Sequence, residues 1–158
     1  MDPRPKSFRP PPGRVAGIDY GTVRIGIAIS DANREFTGPY ENYTRRTPNL
    51  DAERFRRLVN EEKVVLFVVG LPIHCDGEES QKSLEAREFG EWLEAETGVE
   101  VRYFDERFTS RYAERVLREA NLTRRQRKKR MDQVAAHLML SAFLESDGRS
   151  EGSQRLDG

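Results

Sequence analysis

The sequence predicts an α/β protein with a mixed five-stranded sheet and helices on both faces. The segment KVVLFVVGLP is a continuous β-branched run that ends in Gly-Leu-Pro, which is typical of a central strand covered on both faces. The expected elements around it follow the order β-β-β-α-β-α-β-α-α. An antiparallel meander before alternating helices and strands favours a mixed sheet, whose later strands should be parallel and joined by right-handed crossovers.

Three strands are expected before the first helix. Val15–Tyr20 is the first, and Gly21 begins a turn signal. Arg24–Ser30 then alternates isoleucine with smaller residues, as the second strand of a hairpin would. Phe36–Thr44 is a weaker third strand.

Helix boundary signals follow. Thr47 is expected to cap a first helix that has Pro48 at its first position, and that helix buries apolar residues at helical spacing: Phe55, Leu58 and Val59. A second helix is expected over Leu84–Glu96, with Gly98 as its C′ residue.

The last predicted elements are one strand and two helices. The alternating segment VEVRYF is the fifth strand. Ser110 can cap a helix after it, and Thr123 to Gln126 matches the capping box that would open a long final helix.

Composition limits the possible functions. At 158 residues, the chain is expected to form one domain, residues 14–145. The Pro-rich segment 1–13 and the polar segment 146–158 are expected to be disordered tails. No apolar run approaches the roughly 20 residues of a spanning helix, and the N-terminus has no secretory signal. The chain is therefore expected to be cytoplasmic, without a membrane partner.

The ligands that a metal site could use are limited too. Cys75 is the only cysteine, and His74 and His137 are the only histidines. No internal disulfide is possible, and a Cys-rich zinc site is excluded. Any metal site must be built mainly from carboxylates.

A basic segment interrupts an otherwise balanced charge distribution. The formal net charge is +0, but between Arg111 and Arg130 nine basic residues face only two acidic ones. Such a stripe suggests an anionic partner such as nucleic acid, with Arg124, Arg125 and Lys128 as candidate contacts. The alternative is a solvated helix face.

Carboxylates are expected at the ends of two strands and on the last helix. Asp19 lies near the end of the first strand, Asp105 and Glu106 end the fifth, and Asp132 borders the apolar stripe of the last helix. Ligands in open α/β sheets bind beyond the carboxyl ends of strands, so these acids could converge. Oxygen ligands select Mg²⁺ or Mn²⁺.

The alternative for each acid is a local structural role. Asp19 could cap the turn at Gly21, and Asp132 could form a salt bridge with Lys128 or Lys129.

Four motifs occur in order along the chain: GIDYGTVRIGIAISD, VVGLP, DERFTS and MDQVAAHLMLSAFLE. Together they resemble the YqgF family, also called RuvX, over roughly residues 14–145. The resemblance implies an RNase H-like fold related to the Holliday-junction resolvase RuvC.

The same resemblance implies that Asp19, Glu106 and Asp132 are the catalytic residues and the ligands of Mg²⁺ or Mn²⁺. Strand alternation does not decide between Asp105 and Glu106, because either could be presented where the strand ends. Asp105 is the alternative candidate for the second acid. Arg107 and Thr109 lie just beyond this position and could contact the scissile phosphate.

The resemblance implies a metal-dependent nuclease that matures the 5′ end of pre-16S rRNA. Two metal ions would assist attack by water on phosphorus and stabilise the departing 3′ oxygen. A four-way DNA junction is the alternative substrate. A non-catalytic nucleic-acid-binding domain is a second alternative, and a sugar kinase or actin-like ATPase is disfavoured because the chain is too short for two such domains. Whether the protein is a monomer or a homodimer stays open.

Overall fold

The computed structural model describes residues 12–73, 76–108, 123, 125 and 135–146. Its strands and helices, in chain order, are β1 (Arg14–Asp19), β2 (Arg24–Ser30), β3 (Thr37–Thr44), α1 (Pro48–Glu62), β4 (Val64–Leu71), α2 (Gln81–Thr97) and β5 (Glu100–Asp105). Residues 135–146 are also helical and are called the C-terminal helix here. The helix predicted after Ser110 and most of the segment 123–134 lie outside the described residues, as do both predicted tails up to residue 11 and from residue 147.

The five strands form one sheet in the order β3-β2-β1-β4-β5. The pairs β1 with β2 and β2 with β3 are antiparallel, whereas β1 with β4 and β4 with β5 are parallel. The predicted mixed sheet is confirmed. Among the described helices, none is both long enough and apolar enough to span a bilayer.

Capping side chains set the starts of both N-terminal helices. Thr47 Oγ1 accepts a hydrogen bond from the backbone N–H of Leu50 at 3.2 Å, so α1 begins at Pro48 as predicted. In α2 the hydroxyl of Ser80 accepts from the N–H of Ser83 at 3.0 Å. With this cap, α2 starts at Gln81, three residues before the predicted start. The prediction was late because it was based on the apolar stripe of the helix, and the cap lies before that stripe.

Alternate residues of the central strands form two cores on opposite faces of the sheet. One face packs against α1 and α2 through Phe55, Leu58, Phe89 and Leu93, and the other packs against the C-terminal helix through Met139 and Leu140. In β4, Phe67 and Val69 belong to the first core, whereas Leu66 and Val68 belong to the second. The prediction of helices on both faces is therefore confirmed.

Gly17 lets the C-terminal helix approach β1 closely. A Cβ atom built on Gly17 would lie 2.9 Å from Leu140 Cβ and 3.2 Å from the carbonyl oxygen of Ala136. Atoms at these separations clash, so a side chain at residue 17 would push the helix away. The residues of the C-terminal helix are thereby held against the half of β1 that ends at Asp19.

Candidate active site

The carboxyl ends of β1, β4 and β5 lie at one edge of the sheet, because these three strands are parallel. Asp19 is the last residue of β1, Asp105 is the last residue of β5, and Glu106 follows it. β4 lies between β1 and β5. Carboxylates from the two outer strands can therefore meet over the end of β4, where ligands of open α/β sheets bind.

Glu106 turns back over β4 at Gly70. A Cβ atom built on Gly70 would lie 2.5 Å from Glu106 Oε1 and 3.1 Å from Glu106 Cγ. No side chain could share this space, so the glycine at the end of β4 is what allows the carboxylate to lie there.

The Glu106 carboxyl group is in an environment that disfavours its charge. Burial, followed by the negative charges of Asp19 and Asp105, raises the pKa of Glu106 from 4.5 to about 7, and the nearby Lys82 opposes the rise. Carboxylates that raise one another's pKa are close in space. A bound cation relieves the repulsion between such carboxylates. Shifted pKa values of this kind are common at functional sites.

Asp105 is engaged differently from Glu106. Its Oδ1 and Oδ2 accept hydrogen bonds from Arg107 Nε at 3.0 and 2.8 Å, and Oδ1 also accepts from the Arg107 backbone N–H at 2.9 Å. The Arg107 side chain is the main reason that the pKa of Asp105 lies below its usual value. The carboxylate of Asp105 is thus held by the Arg107 side chain.

Asp19 lies between the sheet and the C-terminal helix. A Cβ atom built on its strand partner Gly26 would lie 3.4 Å from Asp19 Cβ and 3.6 Å from Ala136 Cβ. Asp19 and Glu106 also line one cavity of about 320 Å³, together with Tyr20, Gly21, Thr22, Pro72, Lys82, Glu85 and Ala86. The two predicted acids therefore share one solvent-accessible space.

This pair fits a hard divalent cation. Carboxylate oxygens are the ligands that Mg²⁺ and Mn²⁺ prefer. Burial is the main cause of the raised pKa of Glu106, and the charges of Asp19 and Asp105 add to it; a bound cation would neutralise that charge. Within the described ranges, no group of three possible ligands comes together. The third predicted acid, Asp132, lies outside those ranges.

The remaining predicted contacts are only partly described. Arg107 is half-exposed and bonded to Asp105, and Arg125 is an exposed helical residue. Thr109, Arg124 and Lys128 lie outside the described residues, as do His74 and Cys75. Trp92 contacts the rings of Phe55 and Phe89 and packs against the first core.

Arg45 supports the turn that follows Asp19, a role that the sequence did not indicate. Its Nη1 donates to Tyr20 Oη at 3.1 Å and to the Gly21 carbonyl oxygen at 3.4 Å. The guanidinium also lies over the Tyr20 ring, 5.3 Å from its centre, and its Nε is 3.7 Å from Oδ2 of the buried Asp51 in α1. The turn is thus tied to α1. Only the folded chain brings these residues together, so no sequence pattern would have shown it.

Comparison with known proteins gives a family-level match over almost the whole described fold. The RuvX family model, described as "Holliday junction resolvase", matches residues 13–146. A protein of Rhodopirellula baltica is 48% identical over 137 residues, which are 87% of this chain and 79% of that protein. One of Koribacter versatilis is 38% identical over 136 residues, covering 86% and 89%. Both are named "Putative pre-16S rRNA nuclease".

A solved structure supports the same fold. The yeast mitochondrial Holliday junction resolvase Ydc2 superposes with a TM-score of 0.55, over 95% of this chain and 85% of that one. Sequence identity is only 13%, so this likeness speaks for the fold alone. The expected RNase H-like fold is confirmed.

Proposed function

The chain belongs to the RuvX family of nucleases, and from that premise we propose that it hydrolyses RNA with a divalent metal and processes the 5′ end of pre-16S rRNA. The catalytic residues and metal ligands of this proposal are Asp19, Glu106 and Asp132. The metal is Mg²⁺ or Mn²⁺.

The observation that carries the proposal is the convergence of Asp19 and Glu106 at one sheet edge. They come from strands on opposite sides of β4, and the charge of Asp19 helps to raise the pKa of Glu106. A carboxylate pair held this way costs stability when both groups are ionised, and metal binding offsets that cost. Asp132 lies three positions before the first described residue of the C-terminal helix, whose Ala136 lies near Asp19. We assign the third ligand position to it.

The chain's own residues position the reaction. Asp19 and Glu106 would hold the cations, Gly70 leaves room for the Glu106 carboxylate, and Arg45 fixes the turn after Asp19. Bound divalent ions supply activation of water and stabilisation of the departing 3′ oxygen. Asp105 would act as a positioning residue, because its bonds to Arg107 orient the guanidinium beside the second acid.

Contacts to the nucleic acid are assigned to basic side chains near the acids. Arg107 and Thr109 would contact the scissile phosphate, and the basic segment with Arg124, Arg125 and Lys128 would bind the backbone. Replacing those last three residues together with Ala should weaken binding to many sequences alike and flatten its salt dependence. Unchanged binding and slope would leave that segment as a solvated helix face.

A four-way DNA junction is the second candidate substrate. It is favoured by one specific finding, which is that the matching family model is described by resolvase activity. The two substrates differ in sugar and in branching, so a direct comparison separates them.

The experiment compares the parent protein with Asp19→Asn on a 5′-extended 16S precursor and on a four-way junction, each with Mg²⁺ or Mn²⁺. Glu53→Gln is the matched control, because it removes one carboxylate charge from an exposed position on α1. We expect cleavage of the precursor by the parent and the control only. Cleavage of the junction alone would establish the second candidate. No cleavage of either, or full activity of Asp19→Asn, would overturn the proposed chemistry.

A further inference from the structure

Two cavities meet at Asp19. The smaller one, described above, also contains Glu106. The larger one, of about 560 Å³, lies between β2, β3 and the C-terminal helix, and is lined in part by Asp19, Arg24, Gly26, Asn42, Ala136 and His137. Asp19, Tyr20 and Gly21 line both cavities. A linear polymer bound in one cavity could therefore continue past Asp19 into the other cavity.

Each cavity contains one exposed cation that makes no ion pair with any described carboxylate. Arg24 lines the larger cavity and Lys82 lines the smaller one. Most other described arginines are used internally; examples are Arg54 with Glu41, Arg56 with Glu96, Arg87 with Glu79, and Arg102 with Glu100. Lys82 lies near enough to Glu106 to oppose the rise in the pKa of that carboxyl group, but it forms no salt bridge with any described residue. A cavity-lining cation without a salt bridge to a described carboxylate is suited to an external anion.

The size of the two cavities sets what can enter them. Their volumes of about 560 and 320 Å³ both lie within the range of small-ligand pockets. Each is on the scale of one or two nucleotides, and neither has room for a double helix. A flexible strand that crossed both cavities would bring a phosphate to the cation in each.

The walls of the larger cavity add neutral hydrogen-bonding groups. Asn42 is exposed on β3 opposite Gly26, and the absence of a side chain at Gly26 deepens the floor. Burial lowers the pKa of His137, so its ring is neutral near pH 7 and can accept or donate a hydrogen bond. Its Nδ1 is 3.4 Å from Thr37 Oγ1.

We propose that an unpaired nucleic-acid strand crosses Asp19, with Arg24 and Lys82 binding phosphates on opposite sides of the scissile bond and Asn42 and His137 facing the nucleotide in the larger cavity. This inference rests on the proposed nuclease function and deepens it, because it makes an unpaired segment the substrate at the acids. A junction or hairpin would have to present such a segment there.

The test measures binding separately from cleavage. A fluorescein-labelled single-stranded 12-mer RNA, the same sequence as DNA, and the RNA duplex are titrated by anisotropy in Ca²⁺ buffer at several salt concentrations. The variants are Arg24→Gln, Lys82→Gln and Arg24→Lys. Arg57→Gln is the matched control, because Arg57 is exposed on α1 beside Glu61 and lines neither cavity.

We expect Arg24→Gln and Lys82→Gln each to weaken binding of both single strands several-fold. Each should also lower the magnitude of the salt slope by about 0.7, the value for one phosphate contact on a single strand. Duplex binding should change little, Arg24→Lys should recover most of the affinity, and Arg57→Gln should resemble the parent.

Three results would overturn the inference: no single-strand binding by the parent, equal weakening on the duplex, or an Arg24→Gln protein that binds like Arg57→Gln. These outcomes do not depend on catalysis. If the parent cleaves RNA but the Arg24 and Lys82 variants bind normally, the strand path fails and the nuclease proposal stands. If the variants weaken single-strand binding as expected but the parent cleaves no substrate, the strand path stands and the nuclease proposal fails.

Discussion

The carboxylate of Glu106 occupies the space that a side chain on Gly70 would need. The two residues are 36 positions apart, and a Cβ atom on Gly70 would lie 2.5 Å from Glu106 Oε1. Gly70 is paired in parallel register with Phe104, two residues before Glu106. The glycine therefore controls where the second acid lies relative to Asp19.

The first prediction is that Gly70→Ala disables the site without unfolding the protein. The methyl group would force the Glu106 side chain to move, and β4 is otherwise a regular strand. We expect nuclease activity to fall at least about tenfold, because small misplacements of catalytic groups have large effects. The rise in melting temperature caused by Mn²⁺ should shrink as well.

Gly38→Ala is the matched control for this prediction, because a Cβ atom there meets nothing within 4 Å. It should retain the parent's activity and its response to Mn²⁺. Full activity of Gly70→Ala would show that Glu106 does not need its observed position.

The second prediction separates the two candidate acids after β5. Glu106→Gln should abolish cleavage and remove most of the stabilisation by Mn²⁺, whereas Asp105→Asn should retain a response to Mn²⁺. The reason is that Asp105 is bonded to Arg107, whereas Glu106 shares a cavity with Asp19. Thermal melts with and without Mn²⁺, together with a cleavage assay, measure both. The opposite pattern would make Asp105 the ligand.

The sequence predicted the sheet well because its strands carry recognisable patterns, which are alternation in β2 and β5 and a continuous apolar run in β4. β2 has the predicted bounds Arg24–Ser30, since isoleucines alternate along it and pack into one core. The other strands differ from their predicted bounds by one residue at one or both ends. The start of α2 was missed because its cap, Ser80, lies in a polar stretch in which no apolar spacing marks a helix.

Alternation could not decide between Asp105 and Glu106, for a physical reason. The strand ends at Asp105 and residues 106–108 are helical, so the period of two no longer applies at Glu106. The role of Gly70 and the turn support by Arg45 were also out of reach, because each depends on a partner far along the chain. Asp132 stays a prediction, based on its position beside the apolar stripe of the last helix and on the family resemblance.

The third prediction concerns how the C-terminal helix is held against the sheet. Gly17→Ala places a methyl group 2.9 Å from Leu140 Cβ, and overpacking of this kind costs about 1–3 kcal/mol. We expect the free energy of unfolding, measured by urea denaturation, to fall by that amount. Gly38→Ala again serves as the control and should stay close to the parent. An unchanged free energy of unfolding in Gly17→Ala would mean that the C-terminal helix can shift on β1 at no cost.

The last prediction is a pH dependence of stability that comes from Glu106. In the metal-free protein its pKa is raised from 4.5 to about 7, so the folded state favours the protonated form. The stability that this group contributes is therefore fully present below pH 4.5 and is lost as the pH rises through 7. Glu106→Gln mimics the protonated form, so the variant should become more stable than the parent by about 1–3 kcal/mol near pH 8.

Urea denaturation from pH 4.5 to 8 without metal measures this difference, with Glu53→Gln as a control that should follow the parent. Mn²⁺ should reverse the order at pH 8, because a ligand that binds the native state stabilises it and only the parent retains both carboxylates. Its effect on the parent should weaken towards pH 6, where protons compete for Glu106. Parallel curves for parent and Glu106→Gln across the whole range would mean that neither burial nor the neighbouring carboxylates raise the pKa of Glu106 in solution.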